Sequence, residues 1–179
     1  MASLIPLANV EPALIEQLLD RAFGPDRFTR TAYRIRESTD WLEGLSFAAL
    51  DEDELLVGTI QTWPVALTDP DGRRHPLLMV GPVAVIPEAQ GQGYGKALML
   101  AVLDAIERAE PRSAILPQVM IGDPEYYGRF FGFSASHTGG WQCPGPNDPT
   151  RLLLRYGNPA ILPTSGMLGP WVQNLADRP

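Results

Sequence analysis

Between residues 77 and 109 the sequence changes character twice. An apolar, β-branched run over residues 77–85 stops at Pro87, and three glycines follow at alternate positions, Gly91, Gly93 and Gly95. From Gly93 the spacing turns helical, with Leu98, Ala101, Val102, Ala105, Ile106 and Ala109 on one face and Asp104, Glu107, Arg108 and Glu110 elsewhere. Pro111 ends that helix. The start of a helix carries backbone N–H groups without intrahelical partners and the positive end of the macrodipole, so it attracts phosphate. Glycines let the phosphate come close: without Cβ atoms, successive amides can turn toward one anion, and positive φ carries little strain.

Spacing narrows the phosphate ligand. A nucleoside-triphosphate loop needs Gly-x-x-x-x-Gly-Lys-Ser/Thr, whereas three residues separate Gly91 from Gly95 and Ala97 lacks the hydroxyl that holds magnesium. A dinucleotide fingerprint needs a glycine three residues after Gly93, where Lys96 stands, and it needs to open a βαβ unit. What remains is Gln90-x-x-Gly93-x-Gly95 between a strand and a helix.

The rest of the chain gives that segment a setting. Residues 4–7 read as a short strand, and Leu14, Ile15, Leu18, Leu19 and Ala22 repeat at helical spacing up to Gly24. Residues 29–37 read as a second, poorly defined helix. Residues 46–50 and 55–67 form a hairpin across the acidic turn 51–54, and the turn Asp69-Pro70-Asp71-Gly72 leads into the strand at 77–85. After the long helix come a strand over 113–121, a short helix over 125–130, a loop over 139–149 and a last strand over 151–156. The expected order is β-α-α-β-β-β-α-β-α-β, with an irregular tail over 157–179. With 179 residues, 45% hydrophobic, the expectation is one domain, 1–179, with its core over about 4–156.

Charge and cysteine content exclude some functions. A net charge of −7 and a pI near 4.8 argue against a phosphate-neutralising nucleic-acid surface. Cys143 is the single cysteine, so there is no internal disulfide. No stretch reaches the roughly 20 apolar residues of a membrane span, and a soluble cytoplasmic protein is the default reading. His75 and His137 have no partner spacing for a metal or a triad, so no metal is expected.

The segment Gln90-x-x-Gly93-x-Gly95 resembles the pyrophosphate loop of the GNAT superfamily of acyl-CoA-dependent N-acyltransferases, which lies between the fourth strand and the third helix. A second segment, residues 122–133, reads Gly-Asp-Pro-Glu-Tyr-Tyr-Gly-Arg-Phe-Phe-Gly-Phe. It resembles the tyrosine-bearing short helix after the fifth strand, in the version of a bacterial subgroup of predicted N-acetyltransferases. It departs by one extra Phe between Arg129 and Gly132. The resemblance covers roughly residues 4–156 and is dense over 79–133.

The resemblance implies a mixed α/β (α+β) fold: a mostly antiparallel central sheet with helices on both faces, and fourth and fifth strands that splay at a bulge. In the family the pantetheine arm lies in that gap like an added strand. Gly81-Pro82 suits the defect, because proline cannot donate a ladder hydrogen bond. The implied cofactor-binding residues are Val83, Ala84 and Val85 through backbone groups, and Gln90, Gly91, Gln92, Gly93, Tyr94, Gly95 and Lys96 around the pyrophosphate. The implied co-substrate is acetyl-CoA, and the implied acceptor is an amine of a small molecule or peptide, acetylated by direct transfer in a ternary complex. A homodimer is compatible with the sequence.

Tyr127 is the implied acid that protonates the leaving thiolate, with Tyr126 as the fallback. Many relatives place a glutamate on the fourth strand as general base, but residues 77–85 hold no carboxylate. A water relay or a partly deprotonated substrate takes its place. Asp123 and Glu125 are weaker alternatives, since helix capping explains them as well. Trp41, Trp63, Trp141 and Trp171 are candidates to line an acceptor pocket, and the spacing selects none of them.

Overall fold

The computed structural model describes residues 3–172; residues 173–179 of the expected tail lie outside the described residues. The strands are β1 (Ser3–Pro6), β2 (Phe47–Leu50), β3 (Leu56–Thr68), β4 (Arg74–Val85), β5 (Gln118–Ile121), β6 (Gly140–Gln142), β7 (Leu152–Arg155) and β8 (Ser165–Pro170). The helices are α1 (Pro12–Phe23), α2 (Thr31–Ile35), α3 (Tyr94–Glu107) and α4 (Pro124–Phe131). The sheet runs β1-β2-β3-β4-β5-β7, with β8 pairing both β3 and β6. It is mostly antiparallel; β4 with β5 and β6 with β8 are the parallel pairs.

The chain divides into two compact units, with the boundary at Thr62/Trp63 within β3 and at Met79/Val80 within β4. The first holds, among the described residues, 3–29, 41–62 and 80–115. There β1 pairs β2, and β2 pairs the first half of β3, with a register shift at Ala49/Leu50. Successive strand residues face opposite sides, so Ala48 and Ala84 turn one way, onto the α1 side chains Ile15, Leu18 and Leu19 and onto Leu7. Gly58, Val83 and Val85 turn the other way, toward α3. A Cβ on Gly58 would lie 3.1 Å from both the Ala84 carbonyl oxygen and Leu98 Cδ1, which is why glycine stands where α3 meets the sheet. The expected helices on both faces are thus α1 and α3.

The end of α1 is tied by an ion-pair cluster. Arg27 is 2% exposed, pairs with Asp20 at 2.9 Å and with Glu16, and lies over the Phe28 ring.

The second unit holds, among the described residues, 30–40, 63–79 and 116–172. Its core joins Ile35 of α2, Val65, Leu67, Leu77, Met79, Val119, Trp141, Leu152, Leu154 and Leu168. Here the structure corrects three expectations. The strand expected over 113–121 is only Gln118–Ile121, because residues 112–114 form a 3-10 turn and Pro117 gives its carbonyl to the Leu78 N–H. The loop expected over 139–149 contains β6. The tail expected to be irregular contains β8, whose ladder with β3 runs from Val65↔Pro170 to Thr68↔Met167. Helix α2 is also shorter than the 29–37 reading, at residues 31–35.

Candidate active site

In the first unit β4 ends at Val85, a 3-10 turn over Pro87–Ala89 reverses the chain, and α3 begins at Tyr94. Gly91 (φ 79°) and Gly93 (φ 89°) occupy the left-handed region, and Gly93 is the N-cap of α3 with no side-chain cap. A Cβ on either would meet nothing within 4 Å, so the backbone angle, not crowding, demands glycine here, and there is room in front of the turn. The first helical bond runs from Ala97 N–H to the Gly93 carbonyl, so the amides of Tyr94 and Gly95 precede the ladder.

Gly95 differs: its φ is not positive, and a Cβ there would lie 3.8 Å from Val83 Cγ1 and Val85 Cγ2, an ordinary contact. The side chains of the turn fix its shape. Gln90 Nε2 donates to the Val85 carbonyl at 3.2 Å, and Gln92 Nε2 donates to the Glu88 carbonyl at 3.3 Å. Arg21 of α1 pairs with Glu88 at 2.7 Å. Tyr94 is buried, while Lys96 is exposed beside it. Residues 90–96 therefore lie together on one turn, with residues 90–93 and Lys96 exposed.

Along β4 the expected donors divide into two sets. The Ile86 N–H donates to the Val57 carbonyl of β3 at 3.0 Å. In an antiparallel ladder alternate residues bond the same neighbour, so Ala84 also turns its backbone groups to β3. Val83 and Val85 turn theirs to the opposite edge. Of Val83, Ala84 and Val85, the alternation leaves Val83 and Val85 with backbone groups turned away from β3, and the Val85 carbonyl accepts from Gln90. Gly81 has φ 125°, and the Gly81–Pro82 peptide is cis. The β4/β5 ladder consists of Leu78↔Gln118 and Met79↔Val119, just ahead of that pair.

The second tyrosine-bearing segment is α4, in the second unit. Asp123 caps it, accepting the Glu125 N–H at 3.0 Å, which gives that carboxylate a structural task. Gly132, at φ 76°, ends it. The Tyr127 ring lies over Gly122, where a Cβ would fall 2.6 Å from Tyr127 Cε2. Burial, with the neighbouring Tyr126, raises the Tyr127 hydroxyl above the ordinary tyrosine value of 10.0. Tyr126 is 38% exposed and meets Tyr127 edge-on at 5.0 Å. The extra Phe is absorbed by the helix: Phe131 is buried and Phe130 is exposed against Tyr126.

The other singled-out residues have local partners. His75 Nε2 lies 2.9 Å from Asp69, and this partner holds the Asp69 carboxyl below its usual range. His137 meets Trp141 edge-on. Burial pushes the Cys143 thiol up to about 11, far from a reactive thiolate. Trp141 Nε1 donates to the Pro163 carbonyl, Trp171 stacks on Arg74, and Trp63 and Tyr33 both stack on the buried Arg36 guanidinium. Trp41 packs against the α1 core. Among the described residues no three His, Cys, Asp or Glu side chains are grouped to hold a metal, and no helix is long and apolar enough to cross a membrane.

Sequence reading passed over Thr59 and Gln61, two buried polar residues on β3 whose side-chain oxygens lack hydrogen-bond partners. Their signal was available, as polar residues at alternate positions inside an apolar strand.

Comparison with known proteins agrees with this geometry. The fold matches the GNAT family N-acetyltransferase YhbS from Escherichia coli, solved in complex with CoA, with TM-score 0.70 and 23% identity over 94% of this chain and 89% of that one. A GNAT family acetyltransferase from Brucella melitensis, in complex with acetyl-CoA, matches with TM-score 0.55 and 26% identity over 88% of this chain and 97% of that one. Naa50 from Arabidopsis thaliana, in complex with the bisubstrate analogue CoA-Ac-MVNAL, matches with TM-score 0.50 and 18% identity over 86% and 95%. No curated protein matches the sequence. The acetyltransferase (GNAT) family model matches residues 13–133, more than half of the chain, and takes in both the glycine turn and the tyrosine helix. The chain belongs to the acetyltransferase (GNAT) family, whose members are acyl-CoA-dependent N-acyltransferases.

Proposed function

We propose that this acyltransferase takes acetyl from acetyl-CoA and passes it to an amine of a small molecule or peptide by direct transfer in a ternary complex. The observation that carries the reading is the turn over residues 90–96, in which Gly91 and Gly93 are left-handed, a Cβ on either would meet nothing within 4 Å, and the start of α3 has no side-chain cap. That turn suits a diphosphate. Val83 and Val85 offer backbone groups along the adjoining strand edge to the pantetheine amides. Acetyl-CoA bound to the Brucella melitensis relative, and a peptide-bearing analogue bound to Naa50, support the donor and an amine acceptor.

Transfer needs a neutral amine at the thioester carbon and an acid for the departing thiolate. Tyr127 fits the acid: its raised hydroxyl stays protonated across the neutral range. Tyr126 is the alternative.

A second reading, a non-catalytic acyl-CoA-binding module, draws on one observation: β4 carries no carboxylate to act as base. Acetyl-CoA assayed against a panel of amines, with detection of free thiol and product mass, separates the two. Thiol release with an acetylated amine is expected. Binding without release supports the module, and a preference for longer thioesters or hydroxyl acceptors redefines the substrate.

A further inference from the structure

One cavity in the first unit has no part in the acetyl-transfer reading. It has a volume of about 270 Å³ and lies between the start of α1 and the segment that leads into β2. Val10, Pro12, Ile15 and Trp41 form its apolar wall, and Glu16 and Glu43 its polar one. An apolar cavity of about 150 Å³ accepts a benzene-sized guest. This one has room for a six-membered ring with a short chain.

The charges around it favour a cation. Arg27 divides its guanidinium between Glu16 and Asp20, so with Glu43 three carboxylates stand against that one cation. The start of α1 adds roughly half a positive charge, which leaves the balance negative by roughly one and a half charges. None of the residues that line the cavity is basic. The lining also selects the kind of cation. Arg27 fixes Glu16 in place, and a carboxylate has about four lone-pair sites, so Glu16 keeps some to offer a guest. A primary ammonium has three N–H donors to share between Glu16 and Glu43, whereas a quaternary ammonium has none. Trp41 supplies an indole ring, the strongest aromatic partner for a cation.

We infer that this cavity binds a ligand carrying a primary ammonium on a short apolar body, and that it holds the ammonium charged rather than delivering it for acetylation. Carboxylates on two sides favour the protonated form, whereas a nucleophilic amine has to be neutral. The cavity and the glycine turn also stand at opposite ends of α1. Pro12 and Ile15 line the cavity, whereas Arg21 in the last turn pairs with Glu88, and the 12 residues of α1 span about 18 Å. Such a site works whether or not the protein transfers acetyl.

The test is calorimetric titration of the full chain, without CoA, using cyclohexylmethylamine and its neutral counterpart cyclohexylmethanol. The amine should bind at one site with a Kd of about 1 mM or tighter, and the alcohol at least about tenfold more weakly, the effect of losing a charge-assisted hydrogen bond. Glu43→Gln should weaken the amine by at least about threefold, as for an exposed ion pair, and leave the alcohol unchanged. Glu43 is exposed, so this variant does not threaten the fold. Trp41→Leu should weaken the amine by a similar factor, read together with its melting temperature because Trp41 also packs on the α1 core. Asp53→Asn, which removes one exposed carboxylate from the β2–β3 turn, should bind the amine as wild type does. Equal affinity for amine and alcohol, equal losses in Glu43→Gln and Asp53→Asn, or no saturable binding of either cyclohexylmethylamine or the smaller n-butylamine overturns the inference. With acetyl-CoA added, the amine should be recovered at unchanged mass. An acetylated product that disappears in Glu43→Gln overturns the inference and makes this cavity the acceptor site. Failure of the acetyl-transfer reading shows separately, as no thiol release with any amine, and leaves binding here intact.

Discussion

Gly93 and Gly95 lie two residues apart in one turn, and the structure assigns them different reasons to be glycine. At Gly93, φ of 89° puts any side chain into strain of about 1–2 kcal/mol. Gly93→Ala should therefore lower the melting temperature by about 2–8 °C, at 2–4 °C per kcal/mol for a chain of this size. It should also weaken CoA binding by at least about tenfold, since relaxing the strain turns amides away from the anion. Gly95 is an ordinary helical residue whose Cβ finds 3.8 Å contacts. Gly95→Ala should hold or raise stability, by about 0.5–1 kcal/mol from helix propensity, and keep CoA binding. Calorimetric melting and CoA titration of the two variants decide whether the turn works by backbone angle. Unchanged CoA affinity in Gly93→Ala would refute the phosphate assignment. The sequence placed all three glycines in the turn, but it could not say which of them carries a positive φ, because that depends on where the helix begins.

Tyr127 is the second residue-scale case. The paired tyrosines were legible; which ring turns inward was not, because the extra Phe obscured the helix phase. The structure places Tyr127 over Gly122 and leaves Tyr126 exposed. If Tyr127 is the acid, Tyr127→Phe should leave CoA affinity nearly intact and slow turnover by about 10²-fold or more. The sign of its shift adds a second check. Burial favours the neutral hydroxyl, so the proton is held to a pH above 10.0 and lost only beyond it. The alkaline limb of kcat should accordingly lie above pH 10.0 if this hydroxyl sets it. A limb between about pH 7 and 8 would point to a group with an ordinary pKa in that range, such as an α-amine, and away from Tyr127.

At the scale of elements, α3 and its approach to the sheet decide where the turn sits. Apolar periodicity located α3 to within three residues of its observed ends, because an amphipathic helix bounded by glycine and proline carries its own boundary signals. Its docking was not legible. It depends on Gly58, a glycine inside a strand whose meaning emerges only when α3 is laid across it. Gly58→Val should overpack this contact, at a cost of about 1–3 kcal/mol and a fall in melting temperature of about 2–12 °C. Leu98 Cδ1 can yield, but the Ala84 carbonyl cannot without moving β4. CoA affinity should fall with it, since the helix start moves with the helix. A Gly58→Val protein as stable and as tight for CoA as wild type would show that α3 is not positioned there.

For the whole molecule, local signals served where elements are held by their own sequence and failed where they are held by distant partners. The β2–β3 and β3–β4 turns announced themselves, as Asp51 and Asp69 each accept two backbone N–H groups within their own turns. β6 and β8 did not. Ser165–Pro170 contains two glycines and a proline around Met167 and Leu168, a composition that reads as loop. It is a strand because the second half of β3 supplies a ladder, with Leu67 opposite Leu168, and because β6 lines its other edge. Gly140 and Gly166 permit that pairing: a Cβ at Gly140 would lie 2.3 Å from the Thr164 carbonyl oxygen, and one at Gly166 2.7 Å from that of Thr68. The tail read as irregular is therefore part of the second core. Leu168 is 1% exposed, whereas Met167 beside it is 41% exposed. Leu168→Ala should cost about 2–5 kcal/mol, a large fraction of the 5–15 kcal/mol that stabilises a typical domain. Met167→Ala should stay within about 0.5 kcal/mol of wild type. Chemical denaturation of the two variants compares them directly. Equal small losses would mean that β8 is held by its backbone ladder alone, whereas a large loss confined to Leu168 would show that this segment is built into the core by one side chain.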